Sequence, residues 1–449
     1  MWVLASDQGT YTRGSERGMV LMLSAAKTIV RDAARAVKRV SGLTIQEVTA
    51  ESLTELLDLP GMKVTHFATE TQDTERYLHL FCQHQHGVAI CPRCSEAMAG
   101  GHDHKDRCVR HLDMWGMRTL VHFPQRRFQC EVCADPFTEQ LCWIDPKRRE
   151  TRAYEAYIYQ RVQKTTRKHV ALQEGLSEST VLDIFRKLAK QAIIPHGGLV
   201  RVLGVDEISV RKGHKNYALV LSDLEQRCVI AVLPDRQKDT LEKWFDELTQ
   251  QERQAIKVVS MDMWRPYHSA VRTKLPHAQI VADRFHVMKQ LNHQIDLLRR
   301  SLQRNADETL AKALKGSRWI LLKRRSKLTP DEEAQLRIIL DVCNELRAIY
   351  LLKEEFRIIC DKIDDKVKAE RFLQAWIWKA TATNSRYLLR FVKTLRNWWH
   401  EFLNYFCDRV TQGFVEGINR AIRGIINRAF GFRDFGNFRL QVLIECGDT

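Results

Sequence analysis

Hydrophobic and polar positions follow three different rhythms along this chain. From about residue 62 to residue 145, short apolar stretches alternate with polar ones among cysteines, histidines and aromatics, which predicts a strand-rich module. Residues 150–192 read as helices, and residues 200–283 alternate strand-like and helical segments. From Phe285 onward the pattern is almost all helix. Met288, Leu291, Ile295, Leu298 and Leu302 recur at three- and four-residue steps and form one apolar stripe. Thr329-Pro330-Asp331-Glu332 supplies an N-cap, a proline at the first helical position and a capping-box glutamate. Leu336, Ile339, Leu340, Cys343, Leu346 and Tyr350 continue the apolar face behind it. Both stripes are read as core packing.

The middle segment carries the first chemistry. Val202-Leu203-Gly204-Val205-Asp206, Val258-Val259-Ser260-Met261-Asp262 and Ile280-Val281-Ala282-Asp283 are apolar runs that each end in an acid. Such runs read as buried strands, and in open sheets the reactive residues gather at strand ends. Tyr217–Leu221 and Cys228–Leu233 read as an antiparallel pair with a turn over 222–226, and a helix is expected from about Asp239 to Leu248. Three strands, helix, strand, helix, strand suits an RNase H-like fold. Acids brought together repel one another, unless hard cations sit between them. Magnesium favours carboxylates, water and phosphate oxygens, and two such ions can activate an attacking oxygen and stabilise a leaving one.

Two further motifs flank this segment. Cys91-Pro92-Arg93-Cys94 and Cys130-Glu131-Val132-Cys133 are CxxC pairs, and four thiolates so spaced close a tetrahedral structural zinc site. The long loop between them holds His102, His104, Cys108 and His111, any of which can replace a ligand. The module is expected to present Arg126 and Arg127 to DNA. Residues 167–186 have the spacing of a helix-turn-helix: Ala171 at the helix contact, Gly175 at the turn, Ser177 as cap and Val181 in the core. Residues 178–187 are then the recognition helix, with Ser179, Asp183, Arg186 and Lys187 outward.

Charge adds a partner. The chain has 449 residues, 71 Lys and Arg against 55 Asp and Glu, and a formal net charge of +16. That surplus favours a polyanion, because each phosphate contact releases condensed counterions. No uncharged apolar run is long enough to span a membrane. The 12 cysteines are expected as reduced thiols or metal ligands. Met19–Ala26 reads as a short amphipathic helix or as part of an upstream extension, with Met19, Met22 and Met62 as alternative starts.

Together these motifs resemble the ISL3 family of bacterial insertion-sequence transposases in the DDE superfamily, over roughly residues 60–446. The resemblance rests on Gly204-Val205-Asp206-Glu207 followed by Arg211-Lys212-Gly213-His214, Met261-Asp262-Met263-Trp264, and Asp283-Arg284-Phe285-His286. It continues through Val415-Glu416-Gly417-Ile418-Asn419 and Gly431-Phe432-Arg433-Asp434-Phe435, and the cysteine pairs match the family's amino-terminal zinc finger. Periodicity does not single out Glu416; the resemblance does. It implies a catalytic and Mg2+ (or Mn2+) binding triad of Asp206, Asp262 and Glu416, with Asp283 and His286 in support; strand alternation turns Glu207 away from Asp206. It also implies an α+β multidomain chain. Residues 1–60 are an extension, 61–148 a zinc-finger domain and 149–195 a helix-turn-helix domain. Residues 196–300 and 406–449 form the RNase H-like core, interrupted by an all-helical insertion over 301–405. The implied activity is cleavage and strand transfer of double-stranded DNA, at terminal inverted repeats and a target. A homo-oligomer acting in the bacterial cytoplasm at the nucleoid is expected. The rivals are a zinc-finger/helix-turn-helix regulator without catalysis, and a nuclease that cuts without joining.

Overall fold

A computed structural model describes residues 49–193, 197–211, 216–305, 308–408 and 413–447. The expected helix at Met19–Ala26 and the motif residues Lys212-Gly213-His214 lie outside them. The chain divides into two compact units, Met1–Tyr154 and Glu155–Thr449.

In the first unit, helix α1 (Ala50–Leu57) starts at a Thr49–Ser52 capping box. It is followed by β1 (Met62–Gln72), β2 (Glu75–His84), β3 (Val88–Ile90), β4 (Ala97–Ala99), β5 (Asp103–Arg110), β6 (Arg118–Gln129) and β7 (Pro136–Thr138). The main sheet has the order β1-β2-β6-β5 with β7 paired to β6, while β3 and β4 form a separate hairpin. Alternation along β2 and β6 puts Leu78, Leu80, Val121 and Phe123 on one face. That face is buried with Leu53 and Leu57 of α1 and with Trp143.

The division between the units falls in the first turn of α2 (Arg152–Lys164). The helix-turn-helix follows as α3 (Arg167–Glu174) and α4 (Glu178–Ala192). Gly175 takes the left-handed conformation, φ 66°, at the turn, where a glycine carries no steric penalty. Ser177 caps α4 by accepting from the Thr180 amide at 3.0 Å. Ala171 and Val181 are buried as the spacing predicts.

The second sheet and its helices run β8 (Val202–Arg211), β9 (Asn216–Asp223), β10 (Cys228–Leu233), α5 (Lys238–Glu247), α6 (Gln250–Ala255), β11 (Val258–Met261), α7 (Arg265–Lys274) and β12 (Gln279–Ala282). This is the expected element order with one extra short helix. The strand order is β10-β9-β8-β11-β12. β8, β9 and β10 are antiparallel neighbours, whereas β8, β11 and β12 are parallel. Both faces are covered, as near-continuous apolar runs require. Leu203, Val205, Val259 and Met261 pack with Leu241, Phe245 and Tyr267. Ile208, Val220 and Val232 pack with Ile418, Ile422 and Val442 near the carboxyl end.

The remainder is helical: α8 (Arg284–Arg304), α9 (Glu308–Leu314), α10 (Arg318–Leu322), α11 (Pro330–Val342), α12 (Asn344–Lys362), α13 (Lys366–Ala382), α14 (Arg386–Asn397), α15 (Trp399–Asp408), α16 (Gly413–Arg428) and α17 (Phe435–Cys446). Thr329 and Glu332 form the predicted capping box of α11. The stripe expected to run on from Leu336 to Tyr350 is divided between two helices, because Cys343 is extended (φ −136°, ψ 101°). Arg347 Nε donates to the carbonyl of Leu340 at 2.9 Å, satisfying a group the break sets free. Leu291, Ile295, Leu346, Phe356, Trp376, Phe391 and Phe402 form the core of this bundle. Among the described residues, no helix is long and apolar enough to cross a membrane.

Candidate catalytic site and metal centres

Strand register gathers the acids. Val205 pairs with Met261, and Met261 with Ala282, on three adjacent parallel strands. The next residue of each chain segment is therefore an acid: Asp206, Asp262 and Asp283. Asp206 is buried; one carboxylate oxygen accepts from the Glu207 amide at 2.8 Å, and the other accepts from Asn419 Nδ2. Burial, and then the neighbouring charge of Asp262, raise the Asp206 carboxyl from 3.8 to about 6. Asp283 caps α8, accepting from the Phe285 amide at 3.0 Å.

His286, one turn into α8, bridges the acids. Its Nδ1 lies 2.8 Å from Asp283 Oδ2 and also contacts Asp262 Oδ1. Burial opposes a charge on this ring, but its bonds to Asp262 and Asp283 outweigh that and raise the imidazole to about 10. One ligand atom from each of Asp206, Asp262 and His286 falls within 4.8 Å of the others. Glu416 lines the same cavity of about 360 Å³, with its carboxylate turned towards Arg420 at 3.4 Å. Asn419, three residues further along α16, faces the acids as well. Its Oδ1 is buried without a hydrogen-bond partner among the described residues. Glu207 pairs with Arg236 at 3.2 Å. The buried Asp206 and part-buried Asp262, with one unpartnered amide oxygen beside them, fit a hard divalent cation; Glu416, exposed on the rim, lies outside that cluster.

The cysteines form a second cluster. The Sγ atoms of Cys91, Cys94, Cys130 and Cys133 all lie within 4.8 Å of one another. Each pair sits in the turn of a hairpin, β3–β4 or β6–β7, and each knuckle closes through a left-handed residue, Ser95 (φ 65°) or Ala134 (φ 54°). Four thiols in this arrangement fit zinc. None of the alternative ligands joins them: His111 is buried against Thr151 Oγ1 at 2.9 Å, and Cys108 lies 3.7 Å from His122.

Comparisons with known proteins converge on one class. A transposase model of ISL3 type matches residues 203–442, more than half of the chain. This chain belongs to the ISL3 transposase family. The helix-turn-helix domain of the family matches residues 139–189, and the zinc finger of transposases IS204, IS1001, IS1096 and IS1165 matches residues 87–133. The transposase for insertion sequence element IS1001 of Bordetella parapertussis is 28% identical over 375 residues, 83% of this chain and 92% of that protein. The transposase for IS1557 of Mycobacterium tuberculosis is 27% identical over 260 residues, 52% of this chain and 57% of that protein. The chain is a DNA-binding transposase, an enzyme that cleaves and joins DNA strands, and the reading as a regulator without catalysis falls away.

Within this ISL3 transposase, three of the cations expected at DNA also have partners inside the protein. Arg126 does not face outward. Its Nε and Nη2 reach Glu139 Oε2 at 3.0 and 2.7 Å, because that buried carboxylate needs a partner. Arg127, next along the strand, points to the other face and is exposed. Arg186 donates from Nε to Asn437 Oδ1 at 2.8 Å, and Lys187 pairs with the buried Glu155. Of the four residues expected outward on α4, Ser179 and Asp183 are exposed, and Arg186 and Lys187 are half-buried. The bond from Asn419 to Asp206 escaped the sequence reading. Its signal was the three-residue step from Glu416, which puts both side chains on one helical face.

Proposed function

We propose that Asp206, Asp262 and Glu416 hold two Mg2+ (or Mn2+) ions and that this centre cleaves terminal inverted repeats and joins the freed 3′-hydroxyl to target DNA. The observation that carries the reading is the register that sets Asp206, Asp262 and Asp283 side by side, with Glu416 on the rim of the same cavity. Bound there, the ions would activate the attacking oxygen and stabilise the leaving one. The protein's own groups prepare the site. Asn419 and the Glu207 amide each fix one oxygen of Asp206, leaving the remaining lone pairs for ligation. Asp283 orients His286, and the protonated ring offsets the repulsion between Asp206 and Asp262 before DNA arrives. The helix-turn-helix and the zinc finger hold the element's ends. Two ends act together in a homo-oligomer on chromosomal DNA in the cytoplasm.

The test supplies magnesium, terminal-repeat DNA and a target plasmid to wild type, Asp206→Asn, Asp262→Asn and Glu416→Gln. Each variant should bind the ends as wild type does and lose cleavage and joining together, by roughly 10²–10³-fold or more. Calcium should support binding without reaction, since its looser coordination places the oxygens poorly. Full activity in Glu416→Gln removes that residue from the site. Cutting without joining makes the protein a nuclease.

A further inference from the structure

Beside the acid-lined cavity lies a larger one, of about 1110 Å³. The two share Asp262, Phe285, His286 and Lys289 as lining residues, so the larger opens along the wall of the smaller. One side of it is a stripe of α8, where Phe285, Lys289 and His293 recur every four residues and all stand exposed. The facing side is α10 and the turn behind it, with Arg318, Trp319 and Arg324. Phe285 is 49% exposed and Trp319 67%. A single exposed aromatic needs no explanation, but these two line one cleft together with cations. The Arg318 guanidinium lies 4.9 Å from the Trp319 ring. Lys289 has no ion pair among the described residues. Arg318 and Arg324 reach acids only at 3.7 and 3.5 Å.

The aromatic platform is fixed in place. Lys353 of α12 is fully buried, and its ammonium donates to the carbonyl of Leu321 at 2.9 Å and reaches that of Lys323 at 3.4 Å. It thereby ties down the end of α10, two residues past Trp319. A basic groove with exposed aromatic faces is the combination that takes single-stranded nucleic acid, its phosphates on the cations and its bases stacked on the rings. In a duplex the base faces are already stacked on one another, so these rings select unpaired nucleotides.

We propose that this cleft binds the unpaired strand of DNA leading from the acid site, with bases stacking on Trp319 and Phe285 and phosphates on Lys289, Arg318 and Arg324. The proposal rests on the transposition reading for the strand's origin, but its binding chemistry is tested separately. Full-length protein, without added divalent metal, is titrated with a fluorescent 15-mer of oligothymidylate and with a terminal-repeat duplex. Trp319→Ala should weaken the oligonucleotide roughly 5- to 150-fold, equivalent to the ~1–3 kcal/mol of one base–aromatic stack, and leave the duplex unchanged. Trp319→Phe should recover most of the loss. Trp378→Ala, which removes a 74% exposed tryptophan elsewhere in the bundle, should change neither. Unchanged oligonucleotide affinity in Trp319→Ala overturns the proposal, as does an equal loss in Trp378→Ala. A shift in oligomeric state with oligonucleotide affinity intact assigns Trp319 to a protein contact and also overturns it. Trp319-dependent binding in a wild-type protein that cuts no DNA leaves the cleft standing and removes the transposition reading instead.

Discussion

The thiol cluster and the carboxylate cluster both gather ligands around a point, and they use the chain in opposite ways. The four thiols come from two local pairs. Each pair is shaped by its own hairpin turn and left-handed residue, so the ligands are nearly in place once two short hairpins form. The carboxylates come from the ends of separate strands, and Asp206 is steadied by Asn419, 213 residues away. That site exists only after the whole sheet and α16 have assembled. Four thiols close around one point, as in a structural zinc site that contributes to folding; in the proposed function the carboxylates instead leave positions open for a phosphate and contribute to reaction. The difference shows where stability and where chemistry are invested.

The comparison breaks most visibly at the zinc knuckles. Cys130→Ser with Cys133→Ser should release the metal, about one zinc per chain in the wild type, and unfold the first unit. Structural zinc contributes ~10–16 kcal/mol in small zinc fingers. Thermal melts should show the transition of the second unit unchanged. Retention of a cooperative transition for the first unit after metal loss would mean that its apolar cluster is sufficient.

A second contrast lies within β6. Arg126→Ala removes the guanidinium from the buried Glu139, leaving it His84 at 3.0 Å, and should destabilise the first unit by about 3 kcal/mol in denaturant titration. Arg127→Ala, on the exposed face, should stay within ~0.5 kcal/mol of wild type. It should instead weaken DNA binding and lower the salt slope by about one. Reversal of these two effects would put the nucleic-acid face on the other side of the strand.

The smallest expected effect tests the buried ammonium that secures α10. Burial lowers Lys353 from 10.5 to about 8. The folded chain therefore releases this proton near pH 8, while the unfolded chain keeps it until about 10.5. Stability rises with pH across that window. Relative to Lys353→Met, wild type should gain on the order of 1–2 kcal/mol between pH 7.5 and 9.5. A constant gap would show that Lys353 stays charged throughout.

Much of this architecture is legible in the sequence because it is local. Caps at Thr329 and Ser177, the turn at Gly175 and the paired cysteines each occupy a few consecutive residues. The apolar runs ending at Asp206, Asp262 and Asp283 are equally compact, and parallel pairing then fixes their neighbourhood. What a side chain pairs with is where sequence reading falls short. Arg126, Arg186 and Lys187 look like free cations, but Glu139, Asn437 and Glu155 are distant buried groups that claim them. Glu416 became visible only through family resemblance, since nothing in its helix distinguishes it from any other exposed glutamate. The division of the Leu336–Tyr350 stripe was hidden too, because both helices keep the same apolar phase.

Helix α8 is 21 residues long, a rod of roughly 31 Å. Its first turn carries His286 against the acids, and its far end is buried in the helical bundle through Ile295 and Leu298. Such a rod has no proline or glycine at which to hinge. The bundle and the acid cluster therefore share one stiff element, and a tilt of α8 at its Arg304 end would reach the imidazole as a change in its angle to Asp262.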